Sequence, residues 1–247
     1  MSRRALLIGG ALAVAWVIGA PKLLRMYQPE FAFEDMPSLP GFRSLGFGRG
    51  SGASAALIGI GDAETPEEAR LRATLAERPC SAIFGPAGGN DRLPVAVFTD
   101  YYCPYCPEVS DLVRRLDQAG EVRAVWREWP VLGPRSEAAA RAALAAARQG
   151  AHDAVHAHLM RAPLRPGPAA LRALATDFGL DPERLVQDAA SEEVRTQVDT
   201  TRALAGVLGL PGTPGLAIGR TLTAGRIPED RLRRLIALER EGPACID

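Results

Sequence analysis

The sequence predicts an α/β fold built around a dithiol, and three observations carry that prediction. An apolar strand signal, Pro94 to Thr99, runs into Cys103-Pro104-Tyr105-Cys106. An amphipathic helix pattern and a second strand pattern follow directly. An alanine-rich helical stretch then separates this half from two short strands and a last helix.

Of 247 residues, 47% are hydrophobic and 23% charged, an ordinary globular balance that excludes a mostly disordered chain. Basic and acidic residues cancel at 29 each, so no net field draws the chain to nucleic acid. A single segment is apolar enough to enter a bilayer, which excludes a multi-span membrane protein.

That segment is N-terminal. Met1-Ser2-Arg3-Arg4 gives a positive start, and Ala5 to Ala20 carries no charge. A span needs about 20 residues, which an extension to Leu24 supplies if Lys22 snorkels to the interface. Cleavage after Ala20 puts Pro21 behind the cut, and a cut at Ala13-Val14-Ala15 leaves a short apolar run. Residues 1–25 therefore read as an uncleaved anchor, ahead of a removed export signal and of a buried core helix. The opening Ser-Arg-Arg-Ala-Leu-Leu also resembles a twin-arginine signal. Either export reading places the remainder in an oxidising compartment.

Residues 26–79 read as a Gly/Pro-rich linker with one short helix. Pro37-Ser38-Leu39-Pro40-Gly41 and Gly46-Phe47-Gly48-Arg49-Gly50 show no period, with Phe31, Phe33, Phe42 and Phe47 as their apolar content. No Lys-Ser/Thr follows the glycines, so a phosphate loop is not expected. Thr65-Pro66-Glu67-Glu68 starts a helix that should stop before Pro79.

Residues 80–247 form the predicted domain. After the first strand and the dithiol comes a helix from Glu108 to Gln118, with Val109, Leu112, Val113 and Leu116 on one face. Val122 to Trp126 alternates as a strand does. Residues 135–209 are a helical insertion, with helix starts at Ser136-Glu137, Asp181-Pro182-Glu183 and Ser191-Glu192-Glu193. Two strands, Leu216 to Ile218 and Thr221 to Thr223, precede a helix from Pro228 to Arg240. This order suits a thioredoxin fold with a helical insertion behind its second strand, preceded by an N-terminal apolar helix.

Cys103 and Cys106 can hold a metal or cycle between dithiol and disulfide. Structural zinc needs two more ligands, and Cys80 and Cys245 are single and distant in sequence. His152, His156 and His158 lie close together, the first two at i, i+4, but ordinary neutral or surface helix histidines are the expectation. No metal and no cofactor are therefore expected. Redox cycling fits the placement better, with Cys103 just before a helix and Cys106 in its first turn. The helix dipole and the amides of Tyr105 and Cys106 would stabilise a Cys103 thiolate. Cys106, farther inside, would resolve the mixed disulfide. Parity leaves Cys80 with Cys245. An intrachain bridge closing about 165 residues is preferred over two free thiols or intermolecular pairing.

Phe98-Thr99-Asp100-Tyr101-Tyr102-Cys103-Pro104-Tyr105-Cys106 resembles the active-site segment of bacterial DsbA-like thiol-disulfide oxidoreductases. Arg127-Glu128-Trp129-Pro130-Val131-Leu132-Gly133 is similar to that family's second strand and the start of its insertion. Gly209-Leu210-Pro211-Gly212-Thr213-Pro214 resembles its cis-proline loop. The resemblance implies that Pro214 is cis and faces the disulfide and that the Thr213 backbone pairs with a substrate strand; Pro104, Tyr105, Thr213 and Pro214 are the substrate-binding candidates, with Tyr105 tuning access and potential. It also implies reduced or misoxidised client proteins, a membrane redox partner, and a bacterial periplasmic chain. That chain would be anchored in the inner membrane by residues 5–24 or secreted after signal removal. Oxidation of clients is the first reading. Isomerase or reductase activity is the second, and a non-catalytic, copper-handling dithiol is the third. Glutaredoxins share Cys-Pro-Tyr-Cys but lack the insertion. DsbC-like isomerases resemble the site but dimerise through a domain that residues 26–64 can hardly supply. One departure stands out: Val97 occupies the position, six before Cys103, where many thioredoxin-fold enzymes carry a buried acid. Asp100 or water would then take the proton from Cys106.

Overall fold

The computed structural model describes residues 31–46, 66–86 and 92–247. The N-terminal apolar segment, and with it the expected anchor, lies outside them. Among the described residues no helix is long and apolar enough to cross a membrane. The chain divides into two compact units, Met1–Phe33 and Glu34–Asp247. Of the first, residues 31–33 are described, with the Phe31 and Phe33 rings 5.6 Å apart.

The elements are β1 (Phe33–Asp35), β2 (Arg43–Leu45), α1 (Pro66–Glu77), α2 (Pro79–Phe84), β3 (Leu93–Thr99), α3 (Cys106–Gln118) and β4 (Val122–Glu128). Then come α4 (Pro134–Ala147), α5 (His152–Leu159), α6 (Pro168–Asp177), α7 (Pro182–Ala190), α8 (Glu192–Val207), β5 (Gly215–Ile218), β6 (Thr221–Ala224) and α9 (Glu229–Glu241). They form one mixed sheet in the order β1-β2-β6-β5-β3-β4. β3 lies between β4, to which it is parallel, and β5, to which it is antiparallel. Its Val95 to Thr99 are all buried, as a strand covered on both faces requires.

Residues 33–45, read from sequence as linker, supply two strands. Arg43 pairs in parallel register with Thr221, and its guanidinium reaches Thr221 Oγ1 at 2.9 Å and Glu239 Oε1 at 2.7 Å. Leu39 and Phe42 are 3% exposed and join the core of Ile83, Phe98, Trp129 and Leu222. Three-residue strands held by side chains distant in sequence leave no periodic signal.

The helical insertion, α4 to α8, lies between β4 and β5. Asp181 caps α7 by accepting the Arg184 amide at 3.0 Å, and Ser191 caps α8 through Val194. α4 begins at Pro134, ahead of the expected Ser136, whose buried hydroxyl finds no hydrogen-bond partner among the described residues. Gly133, at φ +98°, takes a conformation that a side chain would resist, and Pro134 then opens the helix. Buried Ala139, Ala140, Ala142, Ala143, Ala145 and Ala146 let α4 pack closely into one core with Tyr101, Cys103 and Cys106.

Candidate active site

The site is assembled where β3 and β4 end. Thr99 is in register with Glu128, and Phe98 with Gly215, which places the end of β3 beside the entry to β5. Past Thr99 the chain turns sharply: the Cys103 amide donates to the Asp100 carbonyl, and the Cys106 amide to the Cys103 carbonyl, both at 3.2 Å. Cys106 opens α3. Its amide is therefore spent on a backbone carbonyl, not on the Cys103 sulfur as expected.

Cys103 and Cys106 are unbridged and buried, Cys103 at 1% exposure and Cys106 at 0%. Cys103 Sγ donates to the Thr213 carbonyl at 3.3 Å. The Thr213–Pro214 peptide bond is cis, and both residues are buried. Pro104 is exposed and Tyr105 half-buried at the rim. The Cys106 thiol is pushed well above its ordinary pKa, first by burial, then by its hydrogen bond with Cys103 and the charge there. The Thr99 hydroxyl and the Asp100 backbone beside its sulfur pull the other way but are outweighed.

Asp100 does not stand ready to take a proton from Cys106. Oδ1 accepts the Tyr102 amide at 2.8 Å, and Oδ2 accepts those of Val131 at 2.7 Å and Leu132 at 3.0 Å. It ties the dithiol turn to the loop after β4. Val97 is fully buried.

A second polar group lies nearby. Glu128 Oε1 accepts the Tyr101 hydroxyl at 2.8 Å and faces His152 Nε2 at 2.9 Å and His156 Nδ1 at 3.4 Å. The Tyr101 hydroxyl also lies 2.9 Å from His156 Nδ1. The expectation of ordinary helix histidines fails here, because α5 turns His152 and His156 inward onto a buried carboxylate. Burial pushes the Glu128 carboxyl up, but the hydrogen bonds from both imidazoles outweigh it and leave it at about 2. Burial pushes His152 down, and Asp153 and Glu128 outweigh it to bring it to about 9. Burial, then Glu128, raises the Tyr101 phenol. The readable signals were the i, i+4 histidines and an acid ending a strand. Neither says that the two meet.

Cys80 and Cys245 are joined by a disulfide across 165 residues, and the Asp247 carboxylate accepts the amides of Cys80 and Ser81 at 2.8 and 2.7 Å. A cleft of about 710 Å³ is lined by Val131, Pro134, Leu164, Leu171 and Ala189 among others, and by neither Cys103 nor Cys106.

Residues 94–237 match the DSBA-like thioredoxin domain family. The chain belongs to that family. A thioredoxin-like oxidoreductase from Silicibacter pomeroyi is similar to this DSBA-like chain, at 36% identity and a TM-score of 0.57 over 66% of this chain and 98% of that one. A periplasmic thioredoxin-like protein from Salmonella enterica serovar Typhimurium is similar at 26% identity and TM-score 0.57, over 66% and 95%. The Na(+)/H(+) antiporter NhaA 3 of Salinispora tropica is 33% identical over 131 residues. That match takes in 51% of the DSBA-like chain, which spans 20% of the antiporter's length. The sheet with helices on both faces is the thioredoxin-like arrangement of these solved relatives.

Proposed function

We propose that the chain is an extracytoplasmic protein thiol-disulfide oxidoreductase that passes a Cys103–Cys106 disulfide to client proteins. The observation that carries this reading is the Cys103 Sγ contact with the Thr213 carbonyl, beside a cis Thr213–Pro214 bond. In the donating direction a client thiolate attacks Cys103 Sγ, the Cys103–Cys106 bond breaks, and Cys106 leaves with the electron pair. Its raised pKa favours prompt protonation of the departing sulfur. A second client thiolate then attacks the client sulfur of the mixed disulfide and releases Cys103. The client gains one disulfide, and the enzyme ends as a dithiol. In the disulfide form Cys103 Sγ carries no hydrogen for the Thr213 carbonyl, which is then open to an entering client strand. Pro104 and Tyr105 sit at the rim where that strand passes.

The donating direction is supported by how the fold holds the reduced pair: Cys106 hydrogen bonds with Cys103, and Cys103 with Thr213. Stabilising the dithiol makes the disulfide a stronger oxidant. Export is supported by the N-terminal pattern, by the Cys80–Cys245 bridge and by the periplasmic relative. A membrane partner that re-oxidises Cys103–Cys106, and an anchor at residues 5–24, complete the proposal.

The deciding experiment is the reduction potential of the Cys103–Cys106 pair in glutathione buffers, with Cys80–Cys245 intact. A value of about −120 to −180 mV is expected for a disulfide donor. A value at or below about −230 mV overturns the oxidant reading in favour of a reductase or isomerase.

A further inference from the structure

We propose that Tyr101, Glu128, His152 and His156 form a binding site for a divalent transition-metal ion of the zinc type. Three elements converge there: Glu128 ends β4, His152 and His156 lie one turn apart on α5, and Tyr101 belongs to the turn before the dithiol. The metal-binding atoms of Glu128, His152 and His156 all lie within 4.8 Å of one another. The edges are 2.9 Å from Oε1 to His152 Nε2, 3.4 Å to His156 Nδ1 and 2.8 Å to the Tyr101 hydroxyl, with 2.9 Å from that hydroxyl to His156 Nδ1. A tetrahedral ion with bonds of about 2.0–2.1 Å needs ligand atoms about 3.3 Å apart. These four edges lie within about 0.5 Å of that spacing.

Hydrogen bonding alone leaves this cluster incomplete. Glu128 Oε2 and His156 Nε2 are buried and find no hydrogen-bond partner among the described residues. Buried polar atoms without partners are rare and costly, and an ion drawn to the carboxylate would engage Oε2 as well. His156 also lines a cavity of about 250 Å³ with Pro107, Ser110, Arg114 and Met160. The outer nitrogen of His152 lies 3.5 Å from Asp153 Oδ1, the carboxylate–histidine pairing that orients metal-bound imidazoles. The His152 side chain is 16% exposed, which gives an ion a way in. Two imidazoles with carboxylate and phenol oxygens suit zinc, cobalt, nickel or copper, not calcium or magnesium. The bound ion would clip α5 to β4 and to a residue two positions before Cys103. Binding releases the protons now shared among these groups.

The site uses no sulfur, so its test is separable from the redox reading. The full chain with Cys103→Ser and Cys106→Ser, its Cys80–Cys245 bridge kept, is titrated with Co²⁺ under visible absorption and then with Zn²⁺ as competitor. One Co²⁺ per chain, displaced by Zn²⁺, is expected. His152→Ala should weaken binding at least about tenfold, and Asp153→Asn by about tenfold. Asp153 is 75% exposed and its contact with the site is with His152, so its variant should fold even if loss of His152 does not allow it. Circular dichroism checks each fold. Absence of a cobalt spectrum in the double-serine chain, or binding that Asp153→Asn and folded His152→Ala leave within twofold, overturns the proposal.

Discussion

The Asp100 carboxylate accepts the backbone amide of Val131 at 2.7 Å, joining the dithiol turn to the loop that leaves β4. The same oxygen takes Leu132, and the other takes Tyr102, so three amides converge on one buried side chain. Asp100→Asn keeps a single acceptor oxygen. It can serve Tyr102 or the Val131–Leu132 pair, and its NH₂ then faces N–H donors on the other side. Urea unfolding should show a loss of about 2–3 kcal/mol. Client oxidation should slow as well, because Cys103 loses its registration with Thr213. An unchanged unfolding midpoint would remove Asp100 from this anchoring role.

The pH dependence of the reduced site follows from Cys106. Its folded pKa is raised above the ordinary 9.0, chiefly by burial. A raised group contributes stability that is complete below its unfolded pKa and is lost as pH climbs from there through its folded value. Cys103→Ala isolates this thiol while keeping its burial. The stability of Cys103→Ala should therefore fall relative to Cys103→Ala/Cys106→Ala as pH rises above 9. Parallel pH curves for the two variants would show that Cys106 is not held protonated by the fold.

The Cys80–Cys245 bridge spans 165 residues and ties the end of the chain to α2. In the chain-entropy account, closing so long a loop stabilises by about 5 kcal/mol. Replacing both cysteines by alanine should cost about 3–5 kcal/mol in urea unfolding, while the reduction potential of Cys103–Cys106 stays unchanged. A shift in that potential would mean that the bridge reaches the site.

Gly215 follows Pro214 directly, and a Cβ there would stand 2.9 Å from Leu210 Cδ1 and 3.3 Å from Phe98 Cβ. Phe98 is a fully buried residue of β3, an interior strand, and cannot move aside. Gly215→Ala should cost about 1–3 kcal/mol by overpacking. It should also slow client oxidation by displacing the Thr213–Pro214 edge. Wild-type stability and rate together would show that the loop relaxes without strain.

Most of the strand and helix order was legible because those elements carry their own periodic patterns. β3 is a continuous apolar run, α3 repeats its apolar residues every three or four positions, and α7 and α8 announce their starts with Asp181 and Ser191. The short strands β1 and β2 were not legible. Arg43 joins the sheet through Thr221 and Glu239, residues almost 200 positions away, and three residues cannot display a period.

By itself, the sequence determined the dithiol at a strand-to-helix junction, the insertion between β4 and β5, and the parity that leaves Cys80 for Cys245. Each is a local pattern or a count. Only the tertiary structure decided that Asp100 anchors a loop, that Glu128 gathers Tyr101, His152 and His156, and that Cys103 lies against Thr213. Those contacts join residues from 24 to 110 positions apart. The free energy that orders them is the burial of polar groups which must find partners once water is excluded. Which partners they meet depends on the packing of α4 and α5 against the sheet, and no spacing in a linear chain records that.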